Sequence, residues 1–152
     1  FDLLFAEGGT PGMIDTIASE EDIAEILRAP FSSVISDATY PGTGLLHPRV
    51  TGMTAELLHH FVRERQDLTL EEAVNRLTLR PAERYGLAAK GRIALGADAD
   101  LCLFDPEGFR PVGTYADPRR AAAGMDWVFV AGRAVLREGR RTGERPGGVL
   151  RR

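Results

Sequence analysis

The punctuation of the chain changes near Gly86, and that change limits what it can fold into. Before it, apolar residues recur at helical spacing between sparse breakers. After it, Gly91, Gly96, Pro106, Gly108, Pro111, Gly113, Gly132 and Gly139 divide short apolar runs. The first pattern predicts helices with short connections, the second a β-rich part. A boundary is expected between Gly86 and Lys90, and 152 residues suffice for a real core.

Within the first part, Met13 to Ile17 reads as a short strand. Ser19 is a natural N-cap, and Glu20, Glu21 and Asp22 follow where the helix dipole favours acids. Ile23, Ile26 and Leu27 carry that helix to Pro30. Phe31 to Asp37 reads as a short buried strand, with β-branched Val34 and Ile35 and a carboxylate at its end. Strand, helix, strand predicts a βαβ unit and a parallel sheet. Thr51 to Arg65 is expected to form a second helix. Thr69 and Glu72 form a capping box that opens a third, expected to stop near Arg80 before Pro81. In the β-rich part, Ala99 to Phe104, Trp127 to Val130 and Ala134 to Leu136 read as strands, with a hairpin turn at Ala131-Gly132-Arg133. Phe1 to Gly9 reads as a helix end stopped by glycine, or as a strand. The chain is thus expected to begin inside an element, as a fragment would.

No apolar run is long enough to span a membrane. Cys102 is the only cysteine, so an intrachain disulfide is excluded; an inert core thiol and a reducing, cytoplasmic compartment are expected. The net charge of −3 divides unevenly: residues from Arg110 onward carry +6 and the rest −9. The basic residues lack interleaved aromatics for base stacking, which argues against a nucleic-acid partner.

Asp37 lies at the end of its run, beside a Gly/Pro loop, where α/β barrels place catalytic groups. It equally suits a turn cap. Arg49 can grip a carboxylate through two parallel hydrogen bonds, or it is a solvated loop arginine. His47, held between the loop and Pro48, could orient Asp37, contact substrate or simply support the loop; Tyr40 could line the mouth of a pocket. His59 and His60 are adjacent on a helix and face different directions, so they are expected on the surface or in packing.

Several of these elements resemble the C-terminal third of amidohydrolase-superfamily enzymes. They are Ser19 to Ile23, Ile35-Ser36-Asp37, His47-Pro48-Arg49, Leu68 to Val74, Arg80 to Leu87, Lys90 to Ile93, Gly96 to Leu101 and the tail Thr142 to Arg152. The Asp37 to Arg49 loop and the tail are most similar to the N-acyl-D-amino-acid deacylase (D-aminoacylase) group.

The resemblance implies an α/β fold: residues 1–85 as the C-terminal strand-helix units of a TIM-type barrel, residues 86–152 as the C-terminal strands of a flanking β-sandwich. It implies Asp37 as the barrel-end acid that moves a proton beside a metal-bound water, with zinc as the metal and Asp37 as one available ligand. It implies an N-acyl amino acid as substrate, with Arg49, His47 and Tyr40 near it. The family's metal site needs a His-x-His pair, a Lys or Cys, and two more histidines. This chain has three histidines and no His-x-His, so it is expected to be inactive alone and to associate with itself or with a missing N-terminal part. Two other readings remain open: a non-catalytic αβ binding or oligomerisation module, and a cyclic amidohydrolase of the dihydroorotase or hydantoinase kind.

Overall fold

The computed structural model describes residues 1–6, 8, 15–39 and 46–150. Helix α1 (Asp2–Ala6) is followed by Gly8 in the left-handed region at φ +62°, as the glycine stop predicts. Helix α2 (Glu20–Arg28) opens on a full capping box: Ser19 Oγ accepts from the Asp22 N–H at 3.1 Å, and Asp22 Oδ2 accepts from the Ser19 N–H. Its end is dictated by Pro30, which pushes Ala29 to ψ 131°.

Helix α3 (Arg49–Glu56) continues directly into a π-helical segment, Leu57–Glu64, so the long second helix is present but wider-turned in its second half. The Arg65 N–H closes this segment on His60 O at 2.9 Å, five residues back. Helix α4 (Leu70–Leu77) has the Thr69–Glu72 capping box. The chain breaks at Thr78 (φ −125°, ψ −82°) rather than near Arg80, and α5 (Leu79–Arg84) starts afresh. Pro81 falls in the first turn of α5, where its missing N–H leaves no helical bond unmade.

The β-rich part is a four-stranded antiparallel meander in the order β1 (Leu101–Phe104), β2 (Met125–Val130), β3 (Arg133–Arg137), β4 (Arg140–Arg141). Ala131 and Gly132, at φ 48° and 74°, make the hairpin turn, and Glu138 and Gly139, at φ 49° and 72°, make another like it. The tail is tied back: Thr142 Oγ1 donates to Ala134 O at 2.7 Å, and Glu144 pairs with Arg133 at 2.8 Å.

One core crosses the expected boundary. Leu27, Ala55, Leu57, Leu58, Leu68 and Ala73 from the helical part enclose Phe109 from the β-rich part, with Phe104 and Met125 packed alongside. Cys102, expected in the core, is exposed on β1.

The run Phe31 to Asp37 does not become a strand. Among the described residues all strand pairing is antiparallel and begins at Leu101, so the expected βαβ unit is absent there. The run is β-prone, but a strand exists only where a neighbour completes the ladder. Its Val34 N–H instead donates to Arg76 O on α4 at 3.1 Å. Of the Met13 to Ile17 strand, Met13 and Ile14 lie outside the described residues; Ile17 is exposed and unpaired in any sheet.

Candidate functional site

The segment leading to Asp37 is held by a residue the sequence does not advertise. Arg76, on α4, is buried with only 4% of its surface exposed. Its guanidinium donates to Ser32 Oγ at 3.2 Å, Glu72 O at 3.2 Å and Arg28 O at 3.3 Å. Arg80 adds a bond to Pro30 O. Every acceptor is neutral, and together they staple the segment from α2 toward Asp37 onto α4. Asp37 itself takes φ 45°, a left-handed backbone that Asp tolerates better than most side chains.

That backbone turns the Asp37 carboxylate toward Arg49, the first residue of α3. Arg49 Nη2 lies 3.2 Å from Asp37 Oδ2, with side chains 43% and 79% exposed. An ion pair this wet contributes about 0–1 kcal/mol, so either partner can be exchanged for another at little cost.

His47 supports the pair from behind. Its Nδ1 accepts the backbone N–H of Arg49 at 3.0 Å. That bond assigns the imidazole proton to Nε2, which faces Tyr115 Oη at 3.4 Å. The two rings meet edge to face, 5.3 Å apart at 76°. Burial, and then the Arg49 charge, push the His47 pKa below its ordinary 6.5, so the ring is neutral near pH 7.

Tyr115 reaches this place because the β-rich part lies directly on α3. Gly52 has no side chain there; a Cβ would stand 3.3 Å from Pro111 Cβ. Thr51 Oγ1 donates to Pro118 O at 2.8 Å and locks the contact. Between α2, α3 and this segment opens a cleft of about 540 Å³. Leu27, Val34, Met53 and Phe61 form its apolar wall, while His47, Arg49 and Glu56 bring polar groups to it. Asp37 stands outside the lining and joins it only through Arg49.

The structure therefore brings Asp37, Arg49 and His47 together. Tyr40 lies outside the described residues. His59 and His60 form a separate cluster: His60 Nδ1 is 2.8 Å from Glu64 Oε2, and His59 Nε2 is 3.3 Å from Glu64 Oε1. Arg76 and Tyr115 are the residues that sequence reasoning missed. Neither sits in a local pattern, and their partners are distant in sequence. Among the described residues, no three His, Cys, Asp or Glu side chains converge as a metal-binding group. No described helix is long and apolar enough to cross a membrane.

A sequence profile described as the amidohydrolase family matches residues 4–140. The chain is 38% identical over 140 residues to an N-acyl-D-aspartate deacylase of Alcaligenes xylosoxydans xylosoxydans, a match covering 91% of this chain and 28% of that protein. It is 36% identical over 141 residues to a D-aminoacylase of the same organism, covering 93% and 29% respectively. Dihydroorotases, among them that of Bacillus caldolyticus at 32% identity, are less similar. A solved structure of N-acyl-D-glutamate deacylase from Bordetella bronchiseptica, complexed with zinc and a phosphonate inhibitor, superposes with a TM-score of 0.74 at 35% identity, over 81% of this chain and 27% of that one. The chain thus spans less than a third of the length of the deacylases it matches.

Proposed function

The chain belongs to the amidohydrolase family, and on that premise we propose that it is the C-terminal portion of a metal-dependent enzyme that hydrolyses the amide bond of N-acyl amino acids. The observation that carries this reading is the Arg49–Asp37 pair beside the cleft. A proton-transfer group and a carboxylate-gripping group stand within reach of one small molecule. Residues 1–85 are read as the end of the barrel and residues 86–152 as part of the flanking β-sandwich.

In the overall reaction a water oxygen bonds to the acyl carbon, the C–N bond breaks, and a proton from water ends on the departing amine. Asp37 is assigned that proton: its exposed carboxylate takes it from water and returns it to nitrogen. Arg49 is assigned the free carboxylate of the amino acid, for which it exchanges its loose pairing with Asp37. His47 holds the Arg49 backbone, and Tyr40 is assigned a place at the mouth of the pocket.

The similar Bordetella structure contains zinc. The described residues here do not by themselves make a zinc site, so the metal of the proposed enzyme would be held mainly by residues elsewhere, with Asp37 as one ligand this chain could add. A non-catalytic binding module would use such a cleft but would not need a proton-transfer group beside it. A cyclic-amide substrate is disfavoured by the lower similarity to dihydroorotases.

Large apolar side chains are exposed, among them Phe1 (97%), Phe5 (82%), Phe31 (77%) and Ile35 (70%). Such a surface suits association with a second copy or with the rest of a barrel. Assay of the 152-residue chain and of the full-length protein with zinc, against N-acetyl-D-amino acids, tests the reading. Turnover is expected from the full-length protein alone. No turnover by either removes the activity. Turnover by the chain that is lost in Asp37→Ala means that the chain holds a complete site.

A further inference from the structure

The geometry points to Tyr115 as a second carboxylate-gripping group, one that fixes substrate selectivity alongside Arg49. The assignment rests on the deacylase reading but adds a residue from the β-rich part, which had no place in that chemistry.

The Arg49 backbone N–H occupies His47 Nδ1 at 3.0 Å, so the ring can donate only from Nε2. Tyr115 Oη, 3.4 Å from that nitrogen, is then an acceptor. A phenol that accepts still has its own proton to give. That proton has no carboxylate or carbonyl to meet in the His47 contact, and Tyr115 lines the same cleft as Arg49. The edge-to-face contact with His47 limits how the phenol can turn. Tyr115 is 59% exposed, so its hydroxyl is open to an entering molecule.

The cleft therefore presents a planar cationic fork and a neutral O–H donor, both anchored on His47, above an apolar wall. A carboxylate has enough lone pairs to accept from both. A carboxylate joined to an apolar acyl chain fits this arrangement; a blocked carboxylate, as in an amide, loses the charge that strengthens the hydrogen bonds from both Arg49 and Tyr115. Tyr115 is thus a selectivity residue, and through His47 a positioning residue for Arg49. Because the segment carrying it rests on α3 at Gly52 and Thr51, the β-rich part forms a wall of the cleft rather than a remote appendage.

The test compares wild type with Tyr115→Phe, which keeps the ring and the His47 edge contact and removes only the hydroxyl. Full-length protein is titrated with N-acetyl-D-glutamate, following binding by the imidazole ¹⁵N and arginine Nε–H resonances, and turnover is measured in parallel. Binding is expected to weaken about tenfold, matching the loss of one hydrogen bond to a charged group, with KM rising and kcat nearly unchanged. The wild-type His47 spectrum is expected to show a neutral ring protonated on Nε2. Equal binding by Tyr115→Phe and wild type overturns the inference, as does a His47 ring protonated on Nδ1. Wild type that fails to bind the ligand also overturns it. Wild type that binds more tightly than the variant but turns nothing over retains the inference and removes the deacylase reading.

Discussion

Arg49 Nη2 stands 3.2 Å from Asp37 Oδ2, and neither side chain is buried. Because the pair is screened by water, its rupture costs little, and Arg49 can exchange Asp37 for another carboxylate. In the full-length protein, Arg49→Ala is expected to raise KM for an N-acyl amino acid about tenfold or more, and far less for the matching amide. Lysine keeps the charge without the planar fork, so Arg49→Lys should restore only part of the loss. Equal losses on acid and amide would mean that Arg49 holds the loop rather than the ligand.

Asp37→Asn keeps the shape of the side chain and cannot take a proton. Its expected effect is a fall in kcat of about 10²–10⁴ with KM little changed. Steady-state kinetics decide the matter, and near-wild-type kcat would make Asp37 a turn residue only.

Arg76→Met removes all three donors that staple Arg28, Ser32 and Glu72 together. Loss of these bonds, one of them buried at Ser32, should lower stability by about 1–3 kcal/mol in urea unfolding. A loss under about 0.5 kcal/mol would show that other donors, such as Arg80, suffice.

The His60 imidazole is held above its ordinary 6.5 chiefly by its hydrogen bond to Glu64, with Glu20 and Glu56 adding negative charge and burial opposing. The Glu64 carboxyl is correspondingly held below 4.5 by that bond. The His60 contribution is complete below its unfolded pKa and is lost as pH rises through the raised folded value. The Glu64 contribution is complete above its unfolded pKa and is lost as pH falls. Wild type should therefore lose more stability than His60→Gln between about pH 5.5 and pH 8. Parallel curves for the two proteins would remove this linkage.

Gly124 lies at φ +83°, and a Cβ there would stand 2.5 Å from Gly108 C and Phe109 N, beside the core phenylalanine. Gly124→Ala combines backbone strain with collision and should cost more than about 1 kcal/mol. For a domain of this size that is a fall in Tm of about 2–4 °C or more per kcal/mol in a melting scan. An unchanged Tm would mean that the Phe109 segment shifts freely.

What could be read from the residues alone was local. The Ser19 and Thr69 capping boxes and the Ala131-Gly132 turn involve partners within a few residues, so composition and spacing suffice to place them. Asp37, Arg49 and His47 were legible as candidates for the same reason: each is a chemically suited residue beside a Gly/Pro loop. Tertiary structure decided the rest. Helical spacing over Leu57–Glu64 does not distinguish a π-turn from an α-turn in so short a stretch. The β-prone run at Phe31 to Asp37 became a non-strand segment pinned by Arg76, because strand propensity needs a ladder partner and the acceptor it met was on a helix. Tyr115 joined His47, and Phe109 entered the helical core, through close packing between segments far apart in sequence. Burial and long-range hydrogen bonds are properties of that packing, and no periodicity along the chain records them.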